Sequence, residues 1–353
     1  MRQRAQELKQ ETIAHRRYLH KLAEVGLELP KTMDYIKKEL AACGMESLPC
    51  GHGITATLGA GEKTLLLRAD ADALPNGHTC GHDCHTAMLL TAVKMLKERE
   101  QELGGTVRLM FQPAEETLQG AQDMIAHGIL QPMPQAALAF HTAAGKLPPG
   151  MALYGTDGAM MRSADNFTIT FYGKGGHGAY ADQTIDPIQM AVQTYLALPQ
   201  VSFGAIQAGD TGNVIPEKAV LKGALRAEDD RQALMEQVET TVQTIAKAHG
   251  GSAKLVRTGG TPALVCKKAL TQQMASYLKE LNLIVRGGVR AKASEDFAYV
   301  AEKVPTAYFY LTCGFEDDRG NHLAHDPLVQ IDEEVLPIGA AAYAHCALSY
   351  LKK

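Results

Sequence analysis

One stretch of the chain, Asp70 to Met88, crowds together side chains that can do chemistry. It reads DADALPNGHTCGHDCHTAM and holds carboxylates, two thiols and three imidazoles. Such groups are costly to bury without partners. Cys, His and carboxylate together are the ligand set of zinc and its transition-metal neighbours. Cys80 and Cys84, taken singly, read equally well as ordinary buried thiols. A lone His is more often a satisfied core or surface residue than a ligand. The pair Cys80-x-His82 inside so dense a run is what points to a cation. The spacing is not the paired C-x₂-C of a structural zinc module, so the remaining ligands must come from elsewhere in the chain.

The elements that must position these groups can be read on either side. Asp70 and Asp72 follow the apolar run Thr64-Leu65-Leu66-Leu67, a buried strand with a polar tip. Ala87, Leu90, Val93 and Leu96 recur at helical spacing, which predicts a helix over Thr86–Leu96. The motif is then expected on a strand-to-helix loop, where open α/β sheets hold their ligands. Two further strands end in the same way. Thr106 to Phe111 runs into Gln112-Pro113-Ala114-Glu115-Glu116. Two adjacent carboxylates there can divide the work, one holding a cation and one moving a proton. The competing reading is an exposed acidic helix start, for which Pro113 is well suited. The strand Ala136–Phe140 is capped by His141. In a parallel sheet the C-terminal ends of strands share one edge, so three strands would deliver metal-type side chains to one place.

The remainder of the chain sets limits. Its 353 residues suggest about two domains. A net charge of -4 gives no basic footprint for nucleic acid, and no apolar run approaches the length of a membrane helix. The charged N-terminus lacks a secretory signal's apolar core. Seven scattered cysteines do not form a disulfide framework, which makes a reducing cytoplasm the expected compartment. Residues 3–22 read as a helix ending in HRRYLH, with Arg16 and Arg17 on a solvated face. Further helices are expected over Asp34–Cys43, Gly120–His127, Leu270–Leu281, from Ser294, and over Glu333–Leu351. From about residue 163 the pattern changes. Asn166–Tyr172 alternates as a half-buried strand does, and the order β-α-β-β-α-β to about residue 265 is that of a small ferredoxin-like α+β domain. The stretch Gly173 to Gly178 formally fits G-x-G-x-x-G, but turn residues follow it where a dinucleotide site needs a helix.

With these pieces in place, the sequence resembles the metal-dependent amidohydrolase branch of the aminoacylase and carboxypeptidase family, which includes hippurate and auxin-conjugate hydrolases. The matching stretches are HRRYLH, RADADALP, CGHDCHTAMLL, QPAEE, GKGGHGA, DPI, NVIP, SEDFAY and HDPL, in one order along nearly the whole chain. The resemblance implies a mixed, largely parallel α/β catalytic domain with helices on both faces (residues 1–162 and 266–353). It also implies an inserted ferredoxin-like lid and dimerisation domain (residues 163–265). It implies two divalent ions, zinc or manganese with cobalt or nickel also tolerated, bridged by the Cys80 thiolate. His82, Glu116, His141 and His325 complete the ligand set, Glu115 is the general base, and Asp72 supports the ligands from behind. His177 would steady an oxyanion, commonly across a homodimer, while Asn213 and Arg226 would hold a substrate carboxylate. The structural alternative for these three is a turn, a capped loop and a surface cation. His85 and Glu295 lie in matched motifs without an assigned role. Two departures stand out: the loop Asn76–Thr79 is shorter than family members usually carry, and Ala23 replaces a usual proline.

The chemistry implied is hydrolysis of an N-acyl amino acid by a water activated between two cations. Glu115 takes the water's proton and passes it to the leaving amine. A dipeptidase or carboxypeptidase with the same centre is the nearest alternative. A silent metal-binding scaffold predicts a missing base or ligand, and none is missing. A thiol-redox protein using Cys80 and Cys84 predicts activity without metal.

Overall fold

Seven successive residues, Thr64–Asp70, are buried. A strand buried at both its odd and its even positions fits only the middle of a sheet covered on both faces. The computed structural model, which describes residues 1–228 and 230–352, has this arrangement. Its first compact unit comprises Met1–Met160, Leu264–Ala291 and Asp296–Lys353. Eight strands form one sheet there: β1 (Ser47–Cys50), β2 (Gly53–Leu58), β3 (Thr64–Asp70), β4 (Thr106–Gln112), β5 (Ala136–Ala143), β6 (Ala152–Tyr154), β7 (Val285–Gly287) and β8 (Thr306–Thr312). Their order is β1-β2-β4-β3-β5-β8-β6-β7. The pairs β4-β3, β3-β5, β5-β8 and β6-β7 are parallel, and the others antiparallel. The fold is thus a mixed, largely parallel α/β sheet with helices on its faces. From β3 the chain goes to β4 on one side and then crosses back to β5 on the other. That reversal opens a crevice at the strands' C-terminal ends.

Five helices matter for the site: α1 (Lys9–Leu22), α2 (Pro30–Ala42), α3 (His82–Lys97), α4 (Lys268–Glu280) and α5 (Leu336–Tyr350). The sequence predicts an amphipathic α3 beginning at Thr86. In the structure α3 begins at His82 and is buried at every residue from His82 to Val93, because it packs on β3 while α1 and α5 cover its outer side. Burying leucines such as Leu89 and Leu90 contributes about 1.5–3 kcal/mol each relative to exposure. Helix α5 is also tied into the sheet by its buried Tyr343. The Tyr343 hydroxyl donates to the Arg68 carbonyl (2.7 Å) and accepts from the Phe140 amide (3.1 Å), joining β3 and β5 from one side. Strand β1 has no counterpart in the sequence reading. The helix expected from Ser294 is a single turn, Ala298–Ala301.

The N-terminal helix corrects another expectation. Arg16 is not on a solvated face: its side chain is 16% exposed, and its Nε lies 2.9 Å from the fully buried Asp83 carboxylate. Arg17, on the neighbouring face, is 66% exposed and pairs with Glu333 at 2.6 Å. Ala23 ends α1 in the left-handed region, at φ 41°. Proline fixes φ near -65° and cannot take this geometry, so the departure at Ala23 means a differently built turn.

The second unit comprises Met161–Ala263 with Lys292–Glu295. It is an antiparallel sheet in the order Ser202–Ala208, Lys218–Leu225, Ala164–Tyr172, Ser252–Thr261, with helices Pro187–Ala197 and Arg231–Ala248. This is the ferredoxin-like order. Phe167, Ile169 and Phe171 bury the inward side of the central strand among Met190, Val238 and Val242. The Asp186 side chain caps the first helix by accepting from the Ile188 amide (2.8 Å). The sequence reading missed the return of Lys292–Glu295 to this unit.

Candidate metal centre

Asp72 sits just past β3, fully buried, and organises three site residues from below. Its Oδ1 accepts from the Glu115 amide (3.1 Å) and lies 3.2 Å from His82 Nδ1. Its Oδ2 accepts from the Glu116 amide (3.1 Å). The turn after β4 is thereby fixed to the tip of β3. Glu115 and Glu116 are not an exposed helix start: their side chains are 8% and 9% exposed. Gly120 makes the turn possible, since a Cβ there would overlap the Pro113 carbonyl oxygen.

His82 opens α3. Its Nδ1 donates to the Asp72 carbonyl oxygen (3.0 Å), which points Nε2 the other way. That Nε2 lies 3.8 Å from Glu115 Oε2 and 3.8 Å from Glu116 Oε1, with Asp70 Oδ2 at 3.6 Å. Cys80 precedes the helix, and its Sγ is 3.6 Å from His141 Nε2. His141 lies within β5 rather than after it, and its Nδ1 donates to the Thr142 carbonyl (2.7 Å), which turns Nε2 toward Cys80. His325 comes from a loop near the C-terminus, and its Nε2 is 3.5 Å from Glu116 Oε1. Ligand-type atoms of Cys80, His82 and His141 lie within 4.8 Å of one another, as do those of Cys80, Glu116 and His325, and those of His82, Glu115 and Glu116.

A divalent cation fits this donor set. His82 Nε2 and Glu116 Oε1 are buried with no hydrogen-bond partner among the described residues, a state that polar atoms seldom keep without a ligand. Two of these three groups share Cys80, whose thiolate could serve both ions. His82 and His141 each spend Nδ1 on an oxygen and aim Nε2 inward, which is how metal-binding histidines are oriented. Cys80, His82, His141 and His325 with Glu116 would hold the ions, with Glu115 beside them and Asp72 behind.

The electrostatics agree. Burial pushes the Cys80 thiol up to about 12, so it needs a neighbouring cation to ionise at neutral pH. Burial likewise raises Glu116 and lowers His141. His82 is the exception: burial opposes its charge, but Asp70 and Cys80 outweigh that and hold it well above the usual histidine range. This marks a spot of negative potential where an imidazolium or a metal ion is welcome.

Two residues of the motif have other work. His85 Nδ1 is hydrogen-bonded to Asp70 Oδ1, and its Nε2 accepts from the Thr142 amide (2.8 Å). Both nitrogens are thus committed, and His85 braces β3 against β5. Asp70 also takes Arg68 Nη1 at 2.7 Å, a pair buried to 0% exposure on both sides. This Arg68–Asp70–His85 chain has no counterpart in the sequence reading, although an arginine inside an apolar strand two residues from an aspartate signals it. Asp83, next to His82, faces away from the site toward α1. Burial would raise it, but His20 and Arg16 hold it at about 2.

His177, Asn213 and Arg226 belong to the second unit. His177 and Asn213 come together there. Val214 pairs with His177 across a two-residue ladder, and the Gly178 amide donates to the Asn213 carbonyl (2.8 Å). His177 Nδ1 accepts from the Ala179 amide (3.1 Å), leaving Nε2 at the exposed end of the ring. Arg226 is not part of this pair. It follows the strand Lys218–Leu225, and its Nη1 donates to the Ser294 hydroxyl (2.6 Å).

Comparison with known proteins gives the family of the chain. The family model described as Peptidase family M20/M25/M40 matches residues 66–349. An IAA-amino acid hydrolase of Arabidopsis thaliana is 34% identical over 96% of this chain and 84% of its own. An N-acetyl-L-cysteine deacetylase of Bacillus subtilis is 33% identical over 93% of this chain and 85% of its own. Among solved structures, a dinuclear metal binding peptidase of the M20 family from Bacillus subtilis superposes with a TM-score of 0.85 at 28% identity, over 98% of this chain and 99% of that one.

Proposed function

The chain belongs to peptidase family M20/M25/M40 and is a hydrolase of that family, and from that premise we propose that it hydrolyses the amide bond of N-acyl amino acids with two divalent ions, zinc or manganese, and Glu115 as general base. The observation that carries the proposal is the meeting of Cys80, His82, Glu116, His141 and His325 around two buried atoms, His82 Nε2 and Glu116 Oε1, that have no hydrogen-bond partner among the described residues.

Two bound cations would supply Lewis-acid polarisation of a water and of the scissile carbonyl. The chain's own groups do the rest. Glu115 accepts the water's proton as its oxygen adds to the carbonyl carbon, then gives that proton to the nitrogen as the C–N bond breaks. A carboxylic acid and a free amino acid leave. His177, through Nε2, would donate to the oxygen that gains charge. Arg226 and Asn213 suit the substrate carboxylate, the guanidinium by paired hydrogen bonds. The relatives named for IAA-amino acid and N-acetylcysteine hydrolysis support this substrate class. We also assign the second unit as a lid and dimerisation domain, and the protein to the cytoplasm, where its seven unpaired cysteines suit a reducing milieu. Among the described residues no helix is long and apolar enough to cross a membrane.

The test is metal analysis of the purified protein followed by a panel of acetyl-, benzoyl-, indoleacetyl- and aminoacyl-amino acids. The solved M20 relative named as a peptidase favours one second reading, a dipeptidase, and the aminoacyl substrates decide between them. Glu115→Gln should retain both ions and lose about a hundredfold or more in kcat. Undiminished metal-dependent hydrolysis by that variant rules Glu115 out as the base.

A further inference from the structure

His325 is the outlying member of the metal set. It reaches the centre from a loop 184 residues beyond His141, and its side chain is 55% exposed. Its backbone lies in the left-handed region, at φ 73°, which non-glycine residues seldom occupy unless surrounding structure enforces it. Packing alone gives little hold on so exposed a residue. What holds it is the short loop at Asn76–Thr79. The Asn76 amide Nδ2 donates to the His325 carbonyl (3.0 Å). The His325 amide donates to the Thr79 carbonyl (2.9 Å). Thr79 Oγ1 in turn donates to Asn76 Oδ1 (3.0 Å), which fixes the amide plane. The loop is itself braced: Leu74 and Gly77 exchange backbone hydrogen bonds of 3.1 and 2.9 Å, and the Thr79 amide donates to the Gly77 carbonyl (2.8 Å). Both backbone groups of His325 are therefore gripped by one four-residue turn that leads directly into Cys80.

The geometry points to Asn76 as a positioning residue for the ion held by Cys80, Glu116 and His325, with Thr79 as the residue that orients it. The shortened loop here is a clamp, not a gap: its few residues span from one ligand, Cys80, to the backbone of another. The Asn76 side chain spends its amide on the His325 carbonyl and the Thr79 hydroxyl. It acts by holding His325 Nε2 on the side where Glu116 Oε1 lies, so that the ligand is placed before the ion arrives. This inference rests on the metal centre proposed above.

The experiment is competition for Zn²⁺ between the full-length metal-free protein and a chromophoric chelator, resolving the two binding constants. Three variants are compared with wild type. Asn76→Ala removes the amide. Asn76→Asp keeps its shape and its acceptor for Thr79 but lacks the donor to the His325 carbonyl. Thr79→Val frees the amide to rotate. One of the two zinc ions should bind about three- to tenfold more weakly in both Asn76 variants, the range of a single lost hydrogen bond. The other should stay within about twofold, and Thr79→Val should show a smaller loss in the same ion. His325→Ala identifies which ion that is. A general loss of folding would weaken both ions alike and overturns the assignment, as does unchanged binding of both. A wild-type chain that takes up no zinc refutes the metal centre, and the clamp with it. Two tight ions in wild type and in every Asn76 variant refute the clamp alone.

Discussion

Asp72→Asn asks whether one buried carboxylate holds three site residues in place. Oδ1 accepts from the Glu115 amide and faces His82 Nδ1, while Oδ2 accepts from the Glu116 amide. Asparagine offers a single oxygen. With that oxygen in the Oδ1 position, its NH₂ faces the Glu116 N–H, donor against donor. With the amide flipped, the Glu115 N–H loses its acceptor and the NH₂ is also set against His82 Nδ1–H, which keeps only the Asp72 carbonyl. The first arrangement is the cheaper. It removes one hydrogen bond to a charged acceptor, worth about 1.5–3 kcal/mol, and leaves a buried N–H unmet. The metal-free protein can recover part of this by letting the Glu115–Glu116 turn relax. Whatever it recovers reappears as weaker metal binding, because the ions require the turn where it is now. The losses in unfolding free energy of the metal-free protein and in metal binding free energy should therefore sum to about 2–3 kcal/mol, consistent with the tenfold to hundredfold losses usual for partners of metal ligands. Urea unfolding in chelator gives the first quantity, and Zn²⁺ competition the second. If both change by less than about 0.5 kcal/mol, Asp72 does not organise the site and the reasoning is wrong.

Arg16→Met should destabilise the protein by about 3 kcal/mol, because it removes the guanidinium beside the fully buried Asp83 carboxylate and leaves it only His20 and the Cys84 amide among its hydrogen-bond partners in the described residues; Arg17→Met, at an exposed pair, should change stability by less than about 0.5 kcal/mol in the same urea titration. Gly120→Ala should lower both stability and metal affinity, since its methyl group would displace the Pro113 carbonyl and the acidic turn with it; equal affinity in chelator competition counts against the turn's rigidity. His15 is hydrogen-bonded to Tyr35 and faces Glu11, Glu39 and Lys94. Burial holds it below its ordinary 6.5, more strongly than the two glutamates raise it. The fold thus favours the neutral ring, a stabilisation complete above the unfolded value and lost as pH falls through about 6.5 toward the folded one. Wild type should lose more stability than His15→Gln between about pH 7.5 and about pH 5.5; parallel losses would show that His15 does not contribute.

His82 and His85 show what a sequence can and cannot disclose here. Both stand on the first turn of α3, three residues apart, and both are fully buried. The donor chemistry of the run and the strands ending in Glu115–Glu116 and His141 were readable, because apolar strands seldom end in metal-type side chains unless those ends meet a ligand. Which histidine binds was not readable from spacing. It depends on alternate residues of one strand end. Asp70 takes His85 Nδ1, and Thr142 supplies a donor to its Nε2, so that ring is used up. Asp72 and its carbonyl take His82 Nδ1, and among the described residues no hydrogen-bond partner meets Nε2, so that ring keeps a nitrogen to offer an ion. The same reason hid the true start of α3 and the burial of Arg16. A run such as His-Asp-Cys-His looks like a loop while its partners are unknown. It is helix because Asp70, Asp72 and Arg16 arrive from elements between 10 and 67 residues away to satisfy it. Polar residues mark a loop only when no distant group meets them, and whether one does is a property of topology that local pattern does not carry.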